Sequence, residues 1–238
     1  MPSPKEFAEA LRAERAGKRR RTWWLAGGAA TAAVIVGVLV WLFFFSSTFL
    51  TSETAVEGAR IVTVEEYVAT AAVPTGEPLA RVDVRAVEER VRSLSEVAAV
   101  EVSRDFPGTV RIVVTERLAV YQLQDLDTYS WVDEHGVIFR TGEALVESMP
   151  VVDVDEAEER LLADVATVVE HLPAPIASSV ERIEAGSVDL IELVLDDDRR
   201  VVWGSAEESA LKAEVLDTLL QVEADVYDVS APNHPTTR

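Results

Sequence analysis

The 238-residue sequence contains no cysteine, which excludes disulfides, zinc–thiolate sites, iron–sulfur clusters and a thiol nucleophile, and leaves any folded part to be held by burial alone. Histidine is nearly absent too: His135, His171 and His234 are the only three. None has a second His or a Glu at the i+3 or i+4 spacing that puts two metal ligands on one helix face. They suit a tight turn, a helix C-terminus and a polar tail respectively. The sequence also lacks a Walker loop, a G-x-S-x-G elbow and a GxGxxG following a strand. Lys and Arg are outnumbered, 22 against 42 Asp and Glu, for a net charge of -20. That excludes a broad nucleic-acid surface, because phosphates require clustered cations. The acidic groups Asp153-x-Asp155 and Asp196–Asp198 lack the Gly at position six and the Glu at position twelve of a calcium loop, and read as solvated turns. With no catalytic, cofactor or metal pattern present, the chain is expected not to be an enzyme.

What is present is unevenly distributed. Residues 1–22 carry seven basic side chains (Lys5, Arg12, Arg15, Lys18, Arg19, Arg20, Arg21) against three acidic ones, a net of +4, so the remainder carries -24. Between these parts, residues 23–45 contain no charge. As a helix rising about 1.5 Å per residue they reach roughly 35 Å, enough for a hydrocarbon core of about 30 Å. Aromatic rings stand at both ends, Trp23 and Trp24 at one and Trp41 and Phe45 at the other, where rings favour the water–lipid boundary. The basic run Lys18–Arg21 beside the span puts residues 1–22 in the cytoplasm and the large acidic part outside. The run exceeds the apolar region of a cleaved signal peptide, so an uncleaved anchor in the cell membrane is expected.

Beyond the span the periodicity reads strand, helix, helix, strand, strand. A strand is expected over 49–56. Thr63-Val64-Glu65-Glu66 has the form of a capping box opening a helix over 64–71. Asp83 caps a second helix in which Val84, Val87, Val91 and Leu94 share a face. Residues 97–103 and 110–115 alternate about the turn Phe106-Pro107-Gly108-Thr109, a hairpin signal. Further strands are expected over 120–126, 129–132, 137–139, 188–195, 199–203 and 226–230, with a helix over 156–171. A last helix should open at a capping box, Ser205-Ala206-Glu207-Glu208, and carry an apolar stripe of Leu211, Val215, Leu219 and Val222. The class is α+β: a small module of some 70 residues, then a β-rich domain with two helices. In the last strand Tyr227 and Val229 share one face, and Val226, Asp228 and Ser230 the other. This strand is expected at a sheet edge, open to a partner strand, with the Val229 N–H as a candidate outward donor.

Four motifs in order resemble the bacterial cell-division FtsQ (DivIB) family. They are V-E-G-A-R-I-V-T-V-E-E-Y-V (56–68), G-E-P-L-A-R-V-D (76–83), S-E-V-A-A-V-E-V-S-R-D-F-P-G-T-V-R-I-V-V-T-E-R (95–117) and W-V-D-E-H-G-V-I-F (131–139), all behind the basic tail and anchor. The resemblance implies a POTRA domain over 50–117, a β-domain over 118–231 and a tail over 232–238. It further implies a non-enzymatic scaffold at the division septum that binds the coiled-coil membrane proteins FtsB and FtsL, and through them septal peptidoglycan synthase. Arg182 matches a basic position the family uses near its partner site, with Val226–Ser230 as the adjoining strand. Better-known members continue past this strand with an aromatic segment, whereas here Asn233-His234-Pro235-Thr236-Thr237-Arg238 follows. Two other classes compete: a signal-anchored extracytoplasmic enzyme or stress sensor, and a POTRA protein of outer-membrane assembly. The second lacks room for a β-barrel.

Overall fold

The computed structural model describes residues 24, 27–38, 40–41, 47–154 and 156–238. Residues 27–38 are helical and exposed on all sides. Among the described residues no helix is long and apolar enough to cross a membrane. Of the four expected anchors, Trp23 and Phe45 lie outside the described residues, as does Asp155, while Trp24 and Trp41 are exposed.

Contacts divide the chain into two compact units. One holds the described residues up to Glu57 with Val68–Glu88 and Glu101–Val113, the other Gly58–Tyr67, Glu89–Val100 and the described residues of Val114–Arg238.

The smaller of two sheets has the order β1-β3-β2. Strand β1 (Glu53–Glu57) runs parallel to β3 (Thr109–Glu116), with Thr54 opposite Val110 and Val56 opposite Ile112. The expected strand over 49–56 starts late because the preceding backbone is already committed: Thr51 N donates to Glu77 O and Gly76 N to Thr51 O, both at 2.8 Å. Helix α1 (Val64–Ala71) opens as expected, Thr63 Oγ1 accepting the Glu66 amide at 3.3 Å. Helix α2 (Val84–Arg92) opens on Asp83, whose Oδ1 accepts from the amides of Arg85 and Ala86 at 3.1 and 3.2 Å. Its Val87 and Val91 are buried. In β2 (Val97–Asp105) and β3 the expected alternation holds, with Val100, Val102, Val110, Ile112 and Val114 inside.

The larger sheet has nine strands in the order β12-β11-β10-β9-β8-β7-β4-β5-β6. Strands β4 (Tyr121–Asp125), β5 (Thr128–Val132) and β6 (Ile138–Gly142) form an antiparallel meander. Strand β7 (Val151–Val154) pairs parallel with β4, and β8 (Val180–Ser187) parallel with β7. Parallel neighbours need a long crossover. Between β7 and β8 it is supplied by α3 (Glu159–His171) and the short α4 (Ala174–Ala177). After β9 (Leu190–Leu195) and β10 (Arg200–Gly204), α5 (Ser209–Leu219) carries the chain to β11 (Val226–Asp228), parallel to β10. Strand β12 (Thr236–Thr237) then returns antiparallel to β11. Tyr121, Leu123, Val152, Ile183, Leu193, Val201 and Tyr227 form one buried core with Leu161, Val165, Val168 and Leu216 of the helices.

Five expectations need correction. Strands β7 and most of β8 were not anticipated, because half their side chains are polar and lie on the face opposite the core: Asp153, Arg182 and Glu184 alternate with buried Val152, Ile183 and Ala185. Helix α3 begins at Glu159 rather than 156, and a third, short helix, α4, joins the expected two. The capping box at Ser205 does not form. Glu208, at φ 56, precedes α5 without a side-chain cap. The buried face of α5 is Ser209, Lys212, Ala213 and Leu216, while Leu211 and Val222 are exposed. Lys212 is tolerated inside because its Nζ donates to Trp203 O at 3.1 Å and Ser205 O at 2.7 Å.

Candidate functional site

Two polar constellations stand out. The first is built on Glu116, at the end of β3 where the alternation turns its side chain inward. Its Oε2 accepts the amides of Arg60 (3.0 Å) and Ile61 (2.7 Å), and its Oε1 the amide of Val62 (3.0 Å) and the Tyr67 hydroxyl (2.8 Å). Burial would raise the carboxyl's pKa, but these four donors outweigh it and hold the group below the usual glutamate range. The Tyr67 hydroxyl is pushed up by burial and by this carboxylate. The loop entering the site turns at Gly58, φ +92, where a Cβ would lie 2.0 Å from Val114 O. Next in sequence, Arg117 pairs with Asp133 and donates through Nε to Ser95 O at 3.1 Å. Asp133 is buried, and its Oδ1 accepts the amides of His135 (2.9 Å) and Val137 (2.8 Å). Backbone amides and one side-chain donor converge on each carboxylate, which fixes the loop or turn those amides come from.

The second lies at the β12 end of the large sheet, where the expected partner residues fall. Side chains of directly paired residues share a face, so the register puts Arg182 (β8), Glu192 (β9), Arg200 (β10), Val226 and Asp228 (β11) together on the face opposite the core. There they form a ladder: Arg182 Nε donates to Glu184 at 2.9 Å, and Arg200 Nη1 to Glu184 and Glu192, each at 3.3 Å. Arg182 also pairs with Glu181 at 3.5 Å. Tyr227 and Val229 point into the core, as their alternation requires, and Ser230 is exposed. The Tyr227 hydroxyl donates to Val222 O at 2.7 Å, and Arg199 lies 5.7 Å from the ring centroid. Asp228 Oδ1 accepts the Ser230 amide at 3.0 Å and ends the strand.

Two expectations about this strand are overturned. Val226–Ser230 is not the sheet edge, because β12 pairs with it: Asp228 faces Thr236 and Tyr227 faces Thr237. The Val229 N–H does not point outward. It donates to Val202 O at 3.0 Å, so proline there would break the sheet itself. Residues 199–203 were expected as a strand and 232–238 as a tail, but neither was expected at this surface. The only hint was the acidic turn Asp196–Asp198 followed at once by two arginines and a β-rich run.

The histidines are dispersed. His135 is exposed beside Glu134 at 3.7 Å, His171 Nδ1 meets Thr167 O at 2.8 Å, and the His234 amide donates to Ala231 O at 2.8 Å. Among the described residues no group of three or more His, Asp or Glu is placed to hold a metal ion.

Comparison with known proteins matches two successive stretches of the chain. Residues 49–117 match the POTRA domain of FtsQ type, and residues 119–230 the FtsQ/DivIB C-terminal family of cell division proteins. A cell division protein FtsQ of Streptomyces bingchenggensis is 37% identical over 207 residues, covering 82% of this chain and 78% of that one. One from Streptomyces collinus is 32% identical, covering 83% and 81%. One from Mycobacteroides abscessus is 33% identical, covering 83% of this chain and 64% of the longer relative. With both parts of the fold matched in order, and relatives above 30% identity aligned over most of their length, the chain belongs to the FtsQ/DivIB family of cell division proteins.

Proposed function

We propose that the chain is a non-enzymatic, single-pass membrane scaffold of the division machinery. In this reading residues 1–22 are cytoplasmic, residues 23–45 span the cell membrane, and a POTRA domain (50–117) and β-domain (118–231) stand outside it. The outer part binds FtsB- and FtsL-type coiled-coil proteins and through them brings septal peptidoglycan synthase under control at the division site. The observation that carries it is the helix over 27–38, uncharged and exposed on every side, ahead of a two-part fold whose relatives are named cell division proteins. Three turns of helix with Val34, Ile35, Val36 and Val38 all exposed suit lipid, since a surface helix in water buries one stripe. The adjoining Lys18–Arg21 run sets the orientation. At the other end of the chain, Arg182, Arg200 and the outward residues of the strand Val226–Ser230, namely Val226, Asp228 and Ser230, form the surface that partners engage.

The test is to isolate a tagged full-length chain from membranes of dividing cells and identify what accompanies it. FtsB- and FtsL-type proteins are expected together, and absence of both sinks the partner reading. Protease added outside wall-stripped cells should degrade the large domain; full protection would reverse the orientation.

A further inference from the structure

One turn of 3-10 helix, Ser47–Phe49, precedes β1, and two segments distant in sequence hold the chain there. On one side is the loop Pro74-Thr75-Gly76-Glu77-Pro78. The Thr51 amide donates to Glu77 O and the Gly76 amide to Thr51 O, each at 2.8 Å, and Leu50 forms an isolated bridge with Pro78. On the other side is the turn between β2 and β3. Gly108 O accepts the amides of Ser52 (2.8 Å) and Glu53 (3.3 Å), and a Cβ at Gly108 would lie 2.7 Å from Leu50 O. At the tip of that turn the Phe106 ring meets the Phe49 ring edge-on, with centroids 6.3 Å apart and planes at 69°. Phe106 is nevertheless 46% exposed, and Pro107 beside it is exposed as well.

Only three residues separate Phe45, the last of the uncharged run, from Phe49. An extended chain advances at most about 3.6 Å per residue, so these four steps reach roughly 14 Å, and a 3-10 turn shortens them. The headgroup layer on each side of the hydrocarbon is about 5–7 Å thick. Phe49 therefore stands within roughly two headgroup thicknesses of the end of the span, and the Phe106 ring packed on it stands there too. Charge permits the approach. A net of -20 repels the chain from an anionic leaflet, but residues 48–52, 74–78 and 104–108 carry only Arg104 against Glu77 and Asp105. Of these, Asp105 is paired with Arg111 at 2.6 Å, and Arg104 Nη2 donates to Val82 O at 2.7 Å.

We infer that the turn between β2 and β3 is a membrane contact, with the exposed Phe106 ring and Pro107 seated in the headgroup layer of the outer leaflet. This rests on the reading above that residues 23–45 cross the membrane. An aromatic ring gains at that level, where its apolar face is covered and its surroundings stay polar. The span alone attaches the first folded unit at one point and lets it swivel about the exit. The aromatic tip adds a second point and fixes how that unit stands on the lipid.

The chain has no cysteine, so single cysteines can carry a bimane fluorophore to chosen sites of the full-length protein. It is placed in vesicles of equal parts phosphatidylcholine and phosphatidylglycerol, with a nitroxide quencher high on the acyl chain of some lipids. Gly37→Cys reports on the span, where a built Cβ has nothing within 4 Å. Thr75→Cys reports from the exposed loop beside Thr51, with Phe106 intact. Val113→Cys is exposed on β3 of the same unit, about 14 Å along the strand from Thr109. Strong quenching is expected at Gly37→Cys, and quenching at Thr75→Cys at least about twofold above that at Val113→Cys. Adding Phe106→Ser should remove at least about half of the excess at Thr75→Cys, and Phe106→Tyr should keep it. Equal quenching at Thr75→Cys and Val113→Cys, or an excess indifferent to Phe106→Ser, would overturn the contact while leaving the span in place. The first of these comparisons decides whether or not the Phe106→Ser chain folds. Absence of quenching at Gly37→Cys would overturn the span reading and this inference with it.

Discussion

The Tyr67 hydroxyl donates to Glu116 Oε1 at 2.8 Å, joining residues 49 positions apart, and the same oxygen accepts the Val62 amide at 3.0 Å. With the Arg60 and Ile61 amides on Oε2, one carboxylate satisfies three successive backbone donors. Those amides have no sheet or helix partner of their own, so the loop from Gly58 to Thr63 depends on a side chain at the end of β3.

Glu116→Gln should destabilise the chain by roughly 2–4 kcal/mol, because an amide offers one acceptor where two oxygens took four donors and turns its own N–H groups toward donors. Tyr67→Phe, which removes a single donor, should cost about 1 kcal/mol. Denaturant unfolding measures both. Equal losses would mean that the two act through packing alone.

The same carboxylate sets a pH dependence. Its folded pKa is lowered, so its contribution to stability is complete above the unfolded glutamate value of about 4.3 and is lost as pH falls through the folded value. The melting temperature should fall over that acid window, and Glu116→Gln should flatten this part of the profile. A profile unchanged by the substitution would remove Glu116 from the account.

Two glycines separate steric contact from backbone conformation. Gly58 (φ +92) has Val114 O only 2.0 Å from a built Cβ, whereas Gly76 (φ +80) has nothing within 4 Å. Gly76→Ala should cost about 1 kcal/mol, from the left-handed conformation alone. Gly58→Ala should cost roughly 3 kcal/mol or more, since backbone must move as well. The comparison is read from the two unfolding midpoints.

Lys212→Met tests the buried amine. Its pKa is lowered by burial, partly offset by Glu208 and Glu207. Methionine removes that desolvation but strands the carbonyls of Trp203 and Ser205, each worth about 1–3 kcal/mol when left unpaired. A net loss of roughly 2 kcal/mol is expected from the second effect winning. A stabilised variant would show that burying the charge had been the larger cost.

The sequence by itself determined what depends on nearest neighbours and periodicity. Thr63 and Asp83 announced their helices because a capping side chain reaches amides two or three residues on. The alternation of Val110, Ile112 and Val114 declared a half-buried strand, the stripe Leu161, Val165, Val168, Leu172 a half-buried helix, and the four ordered motifs the family. Tertiary structure decided what depends on partners distant in sequence. Strand β8 is recognisable only once β7 and β9 pair on either side, since its outward residues Arg182 and Glu184 are charged. Lys212 could be assigned inward only when Trp203 O and Ser205 O were known to meet it. Whether Val226–Ser230 was an edge depended on where residues 236–238 returned, and two threonines in a polar tail carry no periodic signal. Local propensity reports a residue's own backbone and its burial pattern. Sheet order and the satisfaction of buried polar groups belong to the assembled chain, because main-chain hydrogen bonds between strands are blind to side-chain identity.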